Sequence, residues 1–579
     1  MQFNPSEKMD HKTDRSSVER MERIEREMEQ KPISWIYRCS KNHLWAVALL
    51  AGASAAIAGS FLLLALISSA LLDVASGSRQ GSLWRDCLIL VGLIGLQAIL
   101  NIVNSNIRVR VSGKLEMELK RRMFAAILRK PYLEISGIHS GEIMNRLTSD
   151  VELVVAGIVG ILPQLISLGT KLSVGLLILF RIDFRFTLVI LLIGVMVCIG
   201  NRIYSERFRH FHKEVQESGG QVRAFLQECI ENLIVIKSFS NEEMMEQKLT
   251  NYQEIHYQIK KKRNAVSNLA NTIVYVMFTA GYYAALAWGA IQISRGLLTF
   301  GTLTAFLQII GQIRAPFRNI SGLIPQYYSM IGSAERLMDL EQIEEEEAFS
   351  VDEDFEKISE EMQAIVFEEV GFSYENRSVL EHFSVRLEKG SLTAVAGPSG
   401  AGKSTMMKLL LGLLQCEEGQ IYFDLGEKKI PADAGTRKMF AYVPQGNMIL
   451  SGTIRENLVF SGRQVSEEEI CTAAKMACIW EYTQELPDGL DTVLRERGNG
   501  LSEGQIQRIA IARALLSDAP VLLLDECTSA LDEKTEEQVL NNLKQMKSKT
   551  ILCISHKVAA FACCDHKIVL DGSGNAEGN

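Results

Sequence analysis

Before Tyr328 the chain is built from uncharged runs too long to be the core of an ordinary soluble helix. Leu44 to Leu72 carries no charge at all, and neither does Cys87 to Ile107. Leu153 to Phe180 holds a single cation, Lys171, and Phe184 to Ile203 follows after only Arg181, Ile182 and Asp183. Ala265 to Ile293 is a fifth run, and a sixth starts near Leu297 and turns polar after Ile313. A bilayer core about 30 Å thick takes ~20 apolar residues per helix, so the pattern predicts six membrane spans.

The polar segments between these runs alternate in charge and length. Arg108, Arg110, Lys114, Lys120, Arg121, Arg122, Arg129, Lys130 and Arg146 lie between the second and third runs. Arg207, Arg209, Lys213, Arg223, Lys237, Lys248 and Lys260 to Arg263 lie between the fourth and fifth. The opposite loops hold Arg79, Arg85, Arg181, Arg185 and Arg295 beside acidic residues. The positive-inside rule then puts both termini in the cytoplasm. The two basic loops are rich in helix formers (Leu115 to Leu128, Val215 to Ile236), and at 1.5 Å per residue such helices run well past the bilayer. Their expected tips are Pro131 to Glu142 and Glu231 to Glu243. Residues 1–30 are charged, with no secretory signal pattern, and Pro32 to Tyr37, with Trp35 and Tyr37, predicts a short interfacial helix at the headgroups.

Composition sharpens the division. The 579 residues are 47% hydrophobic, and the charge-rich, Gly-punctuated part after the sixth run reads as soluble α/β. A net charge of −8 offers no basic face and argues against nucleic acid as a partner. The 11 cysteines show no paired metal-ligand spacing, so they are expected as reduced, buried small hydrophobes. Glu341 to Met362, with 11 acidic residues and one Lys, predicts a solvated linker whose charge means nothing more.

The soluble part carries the chemistry. Gly397-Pro398-Ser399-Gly400-Ala401-Gly402-Lys403-Ser404-Thr405 follows an apolar strand, Leu392 to Ala396, and opens a helix. In that context glycines let consecutive N–H groups and a helix N-terminus converge on a polyphosphate, which makes Ser399, Gly400, Gly402, Lys403, Ser404 and Thr405 candidate ATP contacts. Lys403 is placed to reach the β- and γ-phosphates and the Ser404 hydroxyl to take Mg²⁺. Val521 to Leu524 is a second apolar strand that ends in Asp525 and Glu526. Asp525 is the candidate Mg²⁺ ligand, and Glu526 the group that orients or deprotonates a water in line with the γ-phosphate.

Leu501-Ser502-Glu503-Gly504-Gln505, followed by Arg508 and Ala510 to Ala514, resembles the signature that sets ATP-binding cassette proteins apart from other phosphate-loop ATPases. Six spans ahead of one cassette resemble the half-transporters of the ABC exporter family. The resemblance implies a helical membrane bundle of six transmembrane helices with long cytoplasmic extensions, fused to an α/β P-loop cassette. It places a cytoplasmic segment at 1–42, the membrane domain at 43–340, the acidic linker at 341–362 and the cassette at 363–579. By the same resemblance Tyr374 stacks on adenine, Gln445 touches Mg²⁺, Arg495 to Gly498 meets the membrane tips, and Asp532 ends the loop that crosses to the partner cassette. His556 then bonds the γ-phosphate beside catalytic Glu526, and Ser502, Gly504 and Gln505 serve the partner's nucleotide. Gly141-Glu142, Arg146-Leu147, Asp150 and Glu231 to Lys237 resemble the cytoplasmic coupling regions.

A cassette whose signature serves another copy's ATP cannot complete a site alone, so the implied partner is a second half-transporter, in a homodimer or a heterodimer. The implied activity is ATP hydrolysis driving export of an amphipathic substrate (peptide, lipid or hydrophobic drug) by alternating access, in a bacterial inner membrane. An importer on the same scaffold, or a regulatory or ATP-gated subunit, is the alternative. The chain departs from the usual signature at Glu503, where the family has Gly. A carboxylate aimed at a γ-phosphate would be repelled, so Glu503 is expected to face solvent. Lys171 costs about 2.5 to 3.5 kcal/mol near a bilayer centre, so it is expected either on an interior polar site or snorkelling to the outer interface.

Overall fold

The computed structural model describes residues 32–346, 355–374, 377–446, 449–460, 462, 464–494, 500–571 and 576–578. Arg495 to Gly498 and the charged N-terminal segment lie outside the described residues. The chain forms two units. One comprises the chain up to Ala125 together with Gly141–Gln342, and the other Ala126–Ser140 together with Ile343–Asn579.

Among the described residues the first unit is built of helices and the turns between them. Its long helices are α1 (Leu44–Ala75), α2 (Leu83–Ile127), α4 (Val151–Ile182), α5 (Phe184–Glu231), α7 (Glu242–Ser294) and α8 (Phe300–Gln342). Two short helices occupy the expected tips, α6 (Leu233–Ser238) in this unit and α3 (Tyr132–Ser136), after Pro131, in the other. The apolar runs and the charged extensions are thus continuous helix: α5 has 48 residues and α7 has 53. Four helical stretches among the described residues are long and apolar enough to cross a membrane, namely Pro32–Ala75, Leu83–Ile127, Ser140–Ile182 and Glu242–Ser294. The fourth and sixth expected spans show as the shorter apolar stretches Thr187–Met196 and Phe300–Ile313 inside α5 and α8. Only Asp183, in extended conformation, separates α4 from α5, and its carbonyl accepts the Thr187 hydroxyl at 2.6 Å.

Two apolar clusters hold this unit together. Leu50, Leu115, Met123, Val151, Val154, Ala334 and Leu337 form one; Leu62, Leu179, Ala285, Phe306, Ile309 and Ile313 form the other. Trp35 departs from expectation: it is 2% exposed, packs in the first cluster and donates its indole N–H to Glu341 at 2.6 Å. A buried indole needs an acceptor, and Glu341 supplies one, so this ring is core and not a headgroup anchor. Glu341 also pairs with Arg122 at 2.6 Å. Between α4 and α8 a polar joint is buried. Asp150 is 1% exposed and accepts from Ser333 at 2.9 Å and from Arg336 at 2.9 and 2.5 Å. It ends a π-helical turn, Arg146–Asp150, at the base of α4. Lys171 sits over the Phe61 ring, 5.3 Å from its centroid. Eleven residues of helix, about 16 Å, separate it from the end of α4 at Ile182. Its ammonium is therefore at the level of mid-α1, which favours the interior of the two positions expected for it.

The second unit has two sheets. The antiparallel one is ordered β2-β1-β4-β5, with β1 Ala364–Tyr374, β2 Arg377–Glu388, β4 Glu418–Asp424 and β5 Lys429–Pro431. The other is ordered β10-β9-β3-β8-β7-β6, with β3 Leu392–Ala396, β6 Phe440–Val443, β7 Val521–Asp525, β8 Thr550–Ile554, β9 His566–Leu570 and β10 Ala576–Gly578. Strands β9, β3, β8, β7 and β6 run parallel, and every residue of β7 and β8 is buried. Uninterrupted apolar strands of this kind fit a sheet covered on both faces. The helices that matter for the site are α9 (Lys403–Leu410), α10 (Glu503–Leu515) and α11 (Glu533–Lys544).

The linker and the cysteines differ from expectation. Glu346 takes a bidentate bond from Arg437 at 3.0 and 2.7 Å, and its N–H donates to the Arg129 carbonyl at 2.8 Å. At least this linker charge has a structural partner. The described cysteines are free thiols, but only Cys39, Cys527 and Cys553 are buried, Cys87 is exposed and the remainder are half-buried.

Candidate functional site

Topology assembles the site. In the register of the parallel sheet Val395 pairs with Ile554, Ile554 with Asp525, and Leu524 with Val443. The carboxyl ends of β3, β8, β7 and β6 therefore finish side by side. Each hands over one candidate group: the Gly397 to Thr405 loop, His556, Asp525 with Glu526, and Gln445. This is the edge at which open parallel sheets collect ligands.

The phosphate loop has the backbone that its glycines allow. Gly402 lies at φ +89° as the N-cap of α9, and a Cβ there would come within 2.9 Å of Val379 Cγ1. Both the sign of φ and the close approach of β2 demand glycine. Lys403 is buried, its ammonium donating to the carbonyls of Gly397 and Pro398 at 2.8 and 2.9 Å. Thr405 is also buried, Ser404 half-buried, and Ser399 and Gly400 are exposed.

Glu526 stands at the centre of a hydrogen-bonded trio. Its Oε2 accepts from Gln445 Nε2 at 2.6 Å, and His556 Nε2 lies 3.1 Å from its Oε1. The backbone at Glu526 is left-handed, φ +50°, and its N–H donates to Ile554 O at 3.1 Å. A non-glycine residue in that region stores about 1–3 kcal/mol of strain, which turns the carboxylate away from the strand and towards Gln445 and His556. Asp525 is 1% exposed; its Oδ2 accepts the Tyr442 phenol at 3.3 Å. Its Oδ1 is buried with no hydrogen-bond partner. Burial pushes this carboxyl above the usual range, while the Ser404 and Tyr442 hydroxyls pull it down and Glu526 pushes it up. A buried, orphaned carboxylate oxygen beside a serine hydroxyl fits a hard divalent cation, the donor set expected for Mg²⁺.

The signature segment is built as a helix start. Ser502 caps α10: its hydroxyl accepts from the Gln505 N–H at 3.3 Å, and the Gln505 side chain accepts from the Ser502 N–H at 2.7 Å. Gln505 thus closes a capping box. Gly504 is pressed against the loop after β7, where a Cβ would meet Ala530 O at 2.9 Å. Glu503 is exposed. Asp532 caps α11 by accepting the Thr535 N–H at 3.0 Å. Tyr374, half-buried at the end of β1, packs edge-on against Phe372 with centroids 4.9 Å apart. Among the described residues no hydrogen bond joins Ser502, Glu503 or Gly504 to the phosphate loop.

Several partners escape motif reading. Gln507 donates to Ser529 Oγ at 2.9 Å and accepts from the Ala530 N–H at 3.1 Å, tying α10 to the crossing loop. Lys557 donates to the carbonyls of Thr528 and Leu531 and pairs with buried Glu536 at 3.2 Å. Tyr442 stands just ahead of Val443-Pro444-Gln445, where nothing but a folded sheet reveals that its phenol faces Asp525.

Residues 44–317 match the family described as ABC transporter transmembrane region, and residues 380–529 the family described as ABC transporter. An ATP-dependent lipid A-core flippase of Pasteurella multocida is 30% identical over 86% of this chain and 86% of its own length. The chain belongs to the ABC transporter family. The flippase of the same description from Vibrio vulnificus strain YJ016 is 29% identical, covering 88% of this chain and 87% of its own. A solved structure of a bacterial Atm1-family ABC exporter with ATP bound shares the fold, with TM-score 0.74 at 23% identity, over 93% of this chain and 94% of that one. This transporter is accordingly a half-transporter of the exporter type, a multi-pass membrane protein with a nucleotide-binding cassette that hydrolyses ATP.

Proposed function

We propose that two half-transporters close two ATP molecules between their cassettes and use hydrolysis to export an amphipathic substrate by alternating access. The observation that carries this is the trio of Gln445, Glu526 and His556 at the sheet edge that also presents the Lys403 loop. Glu526 accepts a proton from the attacking water as its oxygen bonds the γ-phosphorus and the bond to the β-γ bridging oxygen breaks. Gln445 and His556 hold the Glu526 carboxylate in place, and His556 is a second donor towards the γ-phosphate. Lys403 and the loop N–H groups bind the β- and γ-phosphates, and Tyr374 takes the adenine. Ser404, Asp525 and Gln445 would hold Mg²⁺, whose charge neutralises the transferring phosphates.

Ser502, Gly504 and Gln505 serve the partner's nucleotide in this scheme, with Asp532 closing the crossing loop. Two features support a second copy. The signature has no bond to the phosphate loop of its own chain among the described residues. The tip at α6 is apolar and exposed at Leu233, Ile234, Val235 and Phe239, a surface suited to seating on another cassette. The lipid A-core flippases among the relatives favour a lipid-like cargo in a bacterial inner membrane, with both termini cytoplasmic by the charge of the loops. Lys171 over Phe61, inside the span, is the candidate polar point on the substrate path.

The test is ATPase turnover of the purified transporter in lipid, native against Glu526→Gln. Loss of roughly a hundredfold or more is expected, with ATP binding retained. Substantial remaining turnover would overturn the assignment.

A further inference from the structure

Strand β2 starts against the phosphate loop. A Cβ on Gly402 would stand 2.9 Å from Val379 Cγ1 and 3.1 Å from Val379 O, and a Cβ on Gly400 would stand 4.0 Å from Arg377 Nη2. Side chains two apart on a strand share a face, so Arg377 and Val379 point to the same side of β2, the side on which the loop lies. Directly opposite Arg377 across the β1–β2 ladder is Tyr374. Residues paired in this way also share a face. One guanidinium thus stands between the ring assigned to adenine and the loop assigned to the phosphates.

The charge of Arg377 is not used within the chain. Its side chain is exposed and, among the described residues, makes no hydrogen bond, ion pair or ring contact. Nearby cations are engaged: Arg386, further along β2, pairs with Glu388 and Asp424, and the Lys403 ammonium donates to the Gly397 and Pro398 carbonyls. Arg377 has no such structural task. Its five donors form a planar fork that suits phosphate oxygens, and it adds positive charge beside a loop whose N–H groups already favour anions.

We propose that Arg377 is a phosphate-binding residue of the nucleotide site, donating to the phosphate chain from the side nearer the adenine. It is the second cation of the site, reaching in from solvent where Lys403 reaches from the buried loop, and it favours ligands that carry a base and a phosphate chain together. The inference rests on the assignment of Lys403 and Tyr374 to nucleotide made above.

The experiment uses the full-length transporter in lipid nanodiscs with EDTA present, so that no turnover occurs. Affinity for ATP is read by displacement of the fluorescent analogue mant-ATP, across a series of NaCl concentrations. Arg377→Gln is expected to weaken ATP by about tenfold, as for a hydrogen bond to a charged group, and to flatten the fall of affinity with salt. Arg377→Lys keeps the charge but loses the fork, so it should weaken ATP by about threefold with the native salt dependence. The melting temperature without nucleotide stays native in both variants, since the side chain has no partner to lose. Lys403→Ala is the reference for a lost phosphate contact. If Lys403→Ala weakens ATP while Arg377→Gln binds it as the native chain does, or loses affinity with an unchanged salt dependence, Arg377 is not a phosphate ligand and the proposal is overturned. If Lys403→Ala itself binds ATP with native affinity, the assignment of the phosphate loop fails and this proposal falls with it.

Discussion

Asp150 and Asp525 are equally buried, and they could hardly be treated more differently. Asp150 has both oxygens occupied, by Ser333 and by a two-pronged Arg336. Asp525 has one long phenol bond, and its Oδ1, with the Ser404 hydroxyl near the carboxyl, makes none. A buried carboxylate with every lone pair met is a joint that holds helices in register; one kept short of partners has the chemistry that suits a cation. Within the cassette itself buried Glu536 is met as fully as Asp150, by Thr528 and Lys557, which leaves Asp525 as the exception.

Four substitutions or conditions probe this contrast. Asp525→Asn should cut Mg²⁺-dependent ATP turnover in lipid by roughly 10² to 10³-fold, because the cation loses its charged ligand, and should leave thermal stability in EDTA native or higher. A fall in stability comparable to its fall in activity would make Asp525 a joint like Asp150. Asp150→Ala should do the reverse. Stranding Arg336 and Ser333 is expected to cost about 3 kcal/mol, at the low end for a broken buried pair because Arg336 keeps part of its surface in solvent, with mant-ATP binding unchanged. Calorimetric or fluorescence-detected melting checks it.

The third is pH. Burial holds the folded Asp525 carboxyl above its ordinary 3.8, so the folded cassette binds that proton more readily than the unfolded chain does. The associated stability is present below 3.8 and is lost as pH rises through the raised folded value. In EDTA the melting temperature should therefore fall with rising pH by a component that Asp525→Asn removes and that Mg²⁺ offsets. An identical pH slope in native and Asp525→Asn chains would contradict it. The smallest effect is expected at Glu503. It is exposed, so Glu503→Gly should change ATPase turnover by less than about twofold, and a large gain would show the carboxylate facing nucleotide in the assembled dimer.

The two buried aspartates also show what could be read from the chain and what could not. Asp525 was legible because an apolar strand ending in two acids, after a glycine-rich loop, is a pattern of fixed offsets. The chemistry of phosphate and Mg²⁺ demands those residue types there. Its neighbours were not legible. Tyr442 is 83 residues away and Arg437 is 91 from Glu346, and only strand order brings either pair together. Trp35 was misplaced for the same reason: its acceptor, Glu341, lies 306 residues on. An aromatic ahead of basic residues has the local pattern of a headgroup anchor, and only the packed helices decide otherwise. The fourth and sixth spans were blurred by composition, since α5 and α8 pass from apolar to polar within a single helix.

Asp183 alone joins α4 to α5. A hinge one residue long leaves no slack, so the two helices can scissor about that point but cannot part there. Any opening at that end of the bundle must therefore form between other helices, since α4 and α5 stay joined there.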